Sequence, residues 1–207
     1  MLTLYITRHG ETVWNAENRM QGRLDSSLTD KGKLHAQLLG RRLENTEFTA
    51  VITSPSGRTV QTAELIKGDR QIPIVKDSRL MEIHLGSWEG RTHEEIKEMN
   101  AYQFDCFWNK PNLYQNSEGE SFQDVLDRVL AVLKDIEQTY SSGNVLIVTH
   151  AVVIKTMYMV MKQLPIEEFW SPPIIHGTSL TIVELNDGKK RFLLEADLSH
   201  VKQEAHL

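Results

Sequence analysis

Cysteine is almost absent: Cys106 is the only one in 207 residues, so no disulfide forms within the chain, as suits a reducing compartment. No apolar run approaches the roughly 20 residues of a membrane span. The amino terminus, Met1-Leu2-Thr3-Leu4-Tyr5-Ile6, lacks the charged region and long apolar core of a secretory signal. A basic stripe is also missing. The 23 Lys and Arg are outnumbered by 28 Asp and Glu, leaving a net charge of −5 with the signs interspersed, which argues against a nucleic-acid backbone as partner. The expected setting is the cytoplasm, with neither nucleic acid nor membrane as partner. With 40% hydrophobic and 25% charged residues, the chain has globular composition, which excludes collagen, coiled coil and disorder. At about 150 residues per domain, it makes one large domain or one domain with an insertion.

The pattern along the chain alternates strand and helix. Leu2 to Thr7 is short, apolar and partly β-branched, a strand signature. Leu34, Leu38, Leu39 and Leu43 recur at helical spacing behind Thr29, an expected N-cap. Ala50 to Thr53 is a second strand, and Ser54-Pro55 is expected to start the next helix, running through Thr62, Ala63 and Ile66. Ile72 to Val75 is a third strand. From about Gly86 to Gly119 the character changes: Trp88, Tyr102, Phe104, Phe107, Trp108 and Tyr114 mix with charges, as in an inserted cap. Ser121 then caps a helix whose apolar positions (Phe122, Val125, Leu126, Val129, Val132, Leu133, Ile136) give the clearest amphipathic signal. Val145 to Thr149 is apolar on both faces, like a central parallel strand. A helix over Val152–Lys162 follows, where Met157, Met159 and Met161 are packing residues. A hairpin over Leu180–Leu185 and Phe192–Ala196 turns at Asp187-Gly188. The expectation is a single α/β domain over residues 1–207: a three-layer sandwich with a mostly parallel central sheet, helices on both faces, an antiparallel edge, and a small helical cap at about 86–119.

Three strands end alike. Thr7 is followed by Arg8-His9-Gly10, Thr53 leads through Ser54-Pro55 to Arg58, and Thr149 precedes His150. Ligand crevices of open α/β sheets lie beyond the carboxyl ends of the strands. Parallel neighbours would bring two histidines and two arginines together there. Arginine forks match phosphate oxygens, and a neutral imidazole is able to attack phosphorus, so this is a site for a phosphoryl group. Competing chemistries lack their residues. There is no Gly-rich Walker loop and no G-x-G-x-x-G, no G-x-S-x-G elbow, and no arginine six residues after Cys106. No H-E-x-x-H or Cys–His cluster suggests a metal.

Leu4-Tyr5-Ile6-Thr7-Arg8-His9-Gly10-Glu11-Thr12 resembles the signature of the histidine phosphatase superfamily, also called phosphoglycerate mutase-like. Further blocks match in order: Asn15, Gln21-Gly22, Leu28-Thr29, Ser54-Pro55 with Arg58, Gln61-Thr62-Ala63, Glu82 with Gly86-Ser87-Trp88-Glu89-Gly90, Gly119-Glu120-Ser121, and Thr149-His150. The similarity runs from Leu4 to about Leu185. By this resemblance His9 is the nucleophile, phosphorylated on a ring nitrogen, with Arg8, Arg58 and His150 around the transferring group. Asn15 would add a hydrogen bond, Gln21 and Gly22 would line the substrate side, and Glu82 would be the general acid, then base. Ala151-Val152 stand where the family often has two glycines, and a methyl at Ala151 would narrow the space beside the phosphate. No metal or cofactor is required, because the arginines and His150 replace one.

The glycolytic mutases of the family carry an additional segment for which this chain looks too short. The resemblance therefore favours the broad-specificity phosphatase branch: a metal-independent phosphomonoester hydrolase acting on a small phosphate ester. The alternatives are a cofactor-dependent phosphoglycerate mutase and a non-catalytic phosphate-binding regulator, which would be expected to lack His9 or Glu82. The aromatics Tyr102, Phe104, Phe107, Trp108 and Tyr114 either rim the pocket for an apolar leaving group or form a small core of the cap. Trp88 is expected where the cap joins the main core. Gly22 reads first as backbone geometry. His35 and His93 read as solvated surface, His200 and His206 as a frayed tail, and His84 and His176 as candidates for the pocket. An exposed sheet edge offers a homodimer contact.

Overall fold

A computed structural model describes residues 1–186 and 188–201. Its centre is a six-stranded sheet in the order β3-β2-β4-β1-β5-β6. The strands are β1 (Leu2–Arg8), β2 (Ala50–Thr53), β3 (Ile74–Lys76), β4 (Gly143–Thr149), β5 (Leu180–Asn186) and β6 (Lys189–Asp197). The pairs β3/β2, β2/β4 and β4/β1 are parallel, whereas β5 runs antiparallel to both β1 and β6. The antiparallel part is thus the expected hairpin at one edge. Of its expected turn, Gly188 takes a left-handed φ of 76°, and Asp187 lies outside the described residues.

Period-two alternation distributes the side chains of β4 between two cores. Val145 and Ile147 join the cluster under α6 (Phe122–Thr139) and α7 (Ala151–Lys162). Leu146 and Val148 join the cluster under α2 (Asp30–Arg42) and α3 (Gly57–Lys67). Helices therefore cover both faces, giving three layers. Thr29 caps α2 by accepting from Gly32 N, and Ser121 caps α6 in a reciprocal box with Asp124. Met157, Met159 and Met161 are buried in α7, as a packing role requires.

Four local expectations change. Helix α3 begins at Gly57 behind Ser56, so Pro55 precedes it instead of opening it; residues 54–56 form the turn that leaves β2. Strand β3 begins at Ile74, two residues later than expected. Leu34 is exposed on α2, because the buried face runs through Ala36 and Leu39. His200 is buried, with Nε2 3.3 Å from Thr178 Oγ1, and burial lowers its pKa to about 4. His200, three residues past β6, thus sits against the turn that precedes β5; His206 lies outside the described residues.

Between Gly86 and Gly119 stand α4 (His93–Met99) and α5 (Ala101–Asn109). Trp88 is buried, 6.0 Å from Phe107 and 5.7 Å from Tyr114 between ring centres. Phe107 in turn packs on Phe122 of α6. The segment thus shares the core of α6 and α7. Among the described residues, no helix is long and apolar enough to cross a membrane.

Candidate active site

Register brings the three strand ends together. Arg8 pairs with Thr149 across β1/β4, and Thr53 with Val148 across β2/β4. His9 N donates to Thr149 O and Ser54 N to Val148 O, carrying the ladder one residue past each strand. Gly10 is required by close approach: a Cβ there would lie 2.5 Å from Gly32 O, at the start of α2. Beyond these ends opens a cavity of about 620 Å³. Arg8, His9, Asn15, Gln21, Gly22, Arg58, Glu82 and Ala151 line it, eight of the nine residues singled out by sequence. The ninth, His150, is fully buried behind them, its ring centre 5.3 Å from that of His9.

His9 Nδ1 lies 2.8 Å from Gly10 O. A carbonyl oxygen only accepts, so Nδ1 carries the proton and the neutral ring leaves a lone pair on Nε2. Burial, then Arg58 and Arg8, hold the imidazole well below its ordinary pKa of 6.5. His150 Nδ1 lies 3.1 Å from Arg58 Nη2, and its Nε2 2.9 Å from Ser54 Oγ. The guanidinium donates, so His150 is also neutral, with its proton on Nε2 and directed to Ser54. Burial and the same arginines lower its pKa.

Arg58 is buried and heavily tied. Nη1 donates to Leu24 O at 2.6 Å and Asp25 Oδ1 at 2.8 Å, and Nη2 donates to Gly22 O at 2.8 Å. Arg8 Nη1 donates to Ile175 O at 3.0 Å. The Nε atoms of both arginines are buried without a partner among the described residues, as fits a cradle for an anion. Ile83 N donates to Glu82 Oε1 at 3.1 Å, and Val152 N, at the amino end of α7, to Oε2 at 3.4 Å. Burial raises the Glu82 pKa above its ordinary 4.5; those bonds and the two arginines oppose it. Asn15 Oδ1 is occupied by Thr12 N and Thr12 Oγ1, so its amide nitrogen is the group left for a ligand.

Gly22 has a φ of 51°, and a Cβ there would meet Glu89 at 2.3 Å. Glu89 has no role in the sequence reading beyond its place in a matching block. Its carboxylate accepts from Arg23 N, Leu24 N and Leu85 N, fixing the loop that holds Arg58 to the segment that carries Glu82. Asp25, which pairs with Arg58, also escapes the sequence reading, as do Lys155, Trp170, Pro173, Ile174, Ile175 and Gly177 on the cavity wall. His93 is a correction: it is half-buried, stands on the cavity wall and stacks 5.6 Å from Trp108. His176 lines the cavity whereas His84 does not. Of the aromatics, Phe107 and Trp108 line it with Trp170, Phe104 and Tyr114 pack beside them, and Tyr102 is 61% exposed and serves neither expected role. Among the described residues, no group of three His, Cys, Asp or Glu side chains is arranged to hold a metal ion.

The sequence profile of the histidine phosphatase superfamily (branch 1) matches residues 4–197. A solved structure of Bacillus stearothermophilus YhfR superposes with a TM-score of 0.93 at 50% identity, covering 97% of this chain and 100% of the other. "Phosphoserine phosphatase 1" of Hydrogenobacter thermophilus is 32% identical over 83% of this chain and 81% of its own length. "Probable phosphoglycerate mutase GpmB" of Escherichia coli O1:K1 is 36% identical over 80% and 77%.

Proposed function

The chain belongs to the histidine phosphatase superfamily, and from that membership we propose a metal-independent phosphomonoester hydrolase working through a phosphohistidine on His9. The observation that carries this reading is the tautomer of His9: a neutral ring, anchored through Nδ1, with Nε2 unprotonated between two arginines. Nε2 attacks phosphorus, the bond to the ester oxygen breaks, and Glu82 gives that oxygen a proton. Water then attacks the phosphohistidine, Glu82 takes its proton, and the phosphorus–nitrogen bond breaks. Arg8 and Arg58 neutralise the equatorial oxygens during both transfers. The amino end of α7, at Ala151, adds its dipole to the same charge. Gln21, Gly22 and the Asn15 amide nitrogen bound the substrate side. His150 has both ring nitrogens engaged and acts by holding Arg58 in place.

Phosphatase is preferred over mutase because hydrolysis needs only that water reach the phosphohistidine, and the likeness to a phosphoserine phosphatase supports that choice. With EDTA present, the protein is expected to release phosphate from p-nitrophenyl phosphate and from 3-phosphoglycerate. Conversion of 3- to 2-phosphoglycerate after bisphosphate priming, without net release, would make it a mutase. The substrate is a small phosphate ester, and Met20, Leu85, Phe107, Trp108 and Trp170 on the cavity wall favour an apolar leaving group. Segment 86–119 acts as a cap that supplies part of this wall. Replacing Phe107 and Trp108 together by alanine is expected to raise KM for aryl phosphates about tenfold while sparing small sugar phosphates. An equal rise for both classes would contradict the apolar-wall reading. The single cysteine suits a cytoplasmic protein, and the edge strand β6 offers a homodimer contact.

A further inference from the structure

Lys155 is an ammonium-bearing side chain in an unusual position. It is only 5% exposed, stands on α7 one turn beyond Ala151, and reaches the wall of the cavity. Buried lysines ordinarily take an acidic partner, yet no carboxylate lies within ion-pair distance among the described residues. Its Nζ donates to two backbone oxygens instead, Ser171 O and Pro173 O, the second at 3.3 Å. Both belong to the stretch between Trp170 and Thr178, which contains no helix or strand.

Apart from His176 O, which accepts from Ser179 N and Ser179 Oγ at its far end, that stretch has few other hydrogen bonds. Pro172 and Pro173 have no N–H to donate, and among the described residues no backbone N–H from residues 172 to 177 donates; the next backbone donor engaged is Thr178 N, to Arg8 O. Between the two anchors, Ile175 is buried and its carbonyl accepts from Arg8 Nη1. This is the only hydrogen bond that the Arg8 side chain makes among the described residues, and its Nε is unpartnered. Lys155 and Arg8 therefore hold one short segment at points two residues apart, and the direction of Arg8 depends on where that segment sits.

We propose that Lys155 is a positioning residue that acts through the Ser171–Ile175 segment to aim Arg8 at the phosphoryl group. The proposal rests on the reading of Arg8 as a ligand of that group. The alternative use of Lys155, direct contact with substrate, is disfavoured because two of its three ammonium protons are directed at the two carbonyls.

The test is a double-mutant cycle read in two ways: orthophosphate binding by calorimetry and kcat/KM on p-nitrophenyl phosphate. Lys155→Met is expected to weaken orthophosphate binding and lower kcat/KM by about tenfold each. Lys155→Arg, which keeps the donors, should recover wild-type values to within about threefold. Combining Lys155→Met with Arg8→Gln should cost no more than Arg8→Gln alone, because residues acting through one another are not additive. Additive costs, unchanged orthophosphate binding in Lys155→Met, or no binding by the wild type would each overturn the proposal. Should Lys155→Met fail to fold, Lys155→Gln, which replaces the ammonium by a neutral amide, runs the same cycle. The binding arm reports the coupling of Lys155 to Arg8 even for a protein that hydrolyses no ester, which is the separate result that would end the hydrolase reading.

Discussion

Replacing His9 by alanine is expected to lower turnover of every phosphate ester by about four orders of magnitude or more. The size follows from what is removed. Arg8 and Arg58 still bind the phosphoryl group, but water would have to attack in a cavity built around a side-chain nucleophile. Ground-state binding should survive: Arg58 keeps its bonds to Leu24 O, Gly22 O and Asp25, none of which involves His9. Orthophosphate affinity within about threefold of wild type, beside abolished turnover, is therefore the expected pair. Retention of even a tenth of the activity would show that His9 is not the nucleophile.

Replacing Glu82 by glutamine is expected to have an effect that depends on the leaving group. kcat/KM covers only the steps up to transfer onto His9, and there the acid is needed in proportion to the basicity of the departing oxygen. Alkyl phosphates should lose about 10³-fold in kcat/KM, whereas p-nitrophenyl phosphate should lose no more than about tenfold, because nitrophenolate leaves without a proton. The pH profile gives a second reading. Burial raises the Glu82 pKa above 4.5, so activity on alkyl phosphates should fall as pH rises through that displaced value, where the acid loses its proton. His9, held below 6.5 by burial and the arginines, must be deprotonated to attack, so activity should also fall as pH drops through its lowered value. Glutamine at 82 should abolish the alkaline limb and leave the acid limb in place. A loss independent of leaving-group pKa, with the alkaline limb intact, would remove Glu82 from the acid role.

The features legible in the sequence are those written in adjacent residues. The ends of β1 and β4 place chemistry directly after a threonine and β2 leads from Thr53 to Arg58 five residues on, and a parallel sheet aligns such ends without further information. The caps at Thr29 and Ser121 are equally local. What was not legible depends on contacts distant in sequence. Lys155 looks like any basic residue on an apolar helix until Ser171 and Pro173 fold over it. Glu89 gains its role from Arg23 and Leu24, more than 60 residues earlier. His93 has polar neighbours along the chain, but its stacking partners Phe104 and Trp108 come from α5. His200 follows the last strand, and its burial depends on Thr178, more than 20 residues earlier in the chain. Leu34 fits a helical repeat, and only the docking of α2 against α3 decides which side of that repeat is covered.

The step on which the proposed activity rests is a covalent phosphoryl group on one nitrogen of His9. The direct measurement is rapid mixing with p-nitrophenyl phosphate and no metal, an alkaline quench that preserves phosphohistidine, and mass spectrometry of the peptides. The account predicts one phosphoryl group on the peptide carrying His9, attached at Nε2, which disappears as the ester is exhausted. A phosphoryl group on any other residue, or phosphate release at full rate with His9 never modified, would contradict it.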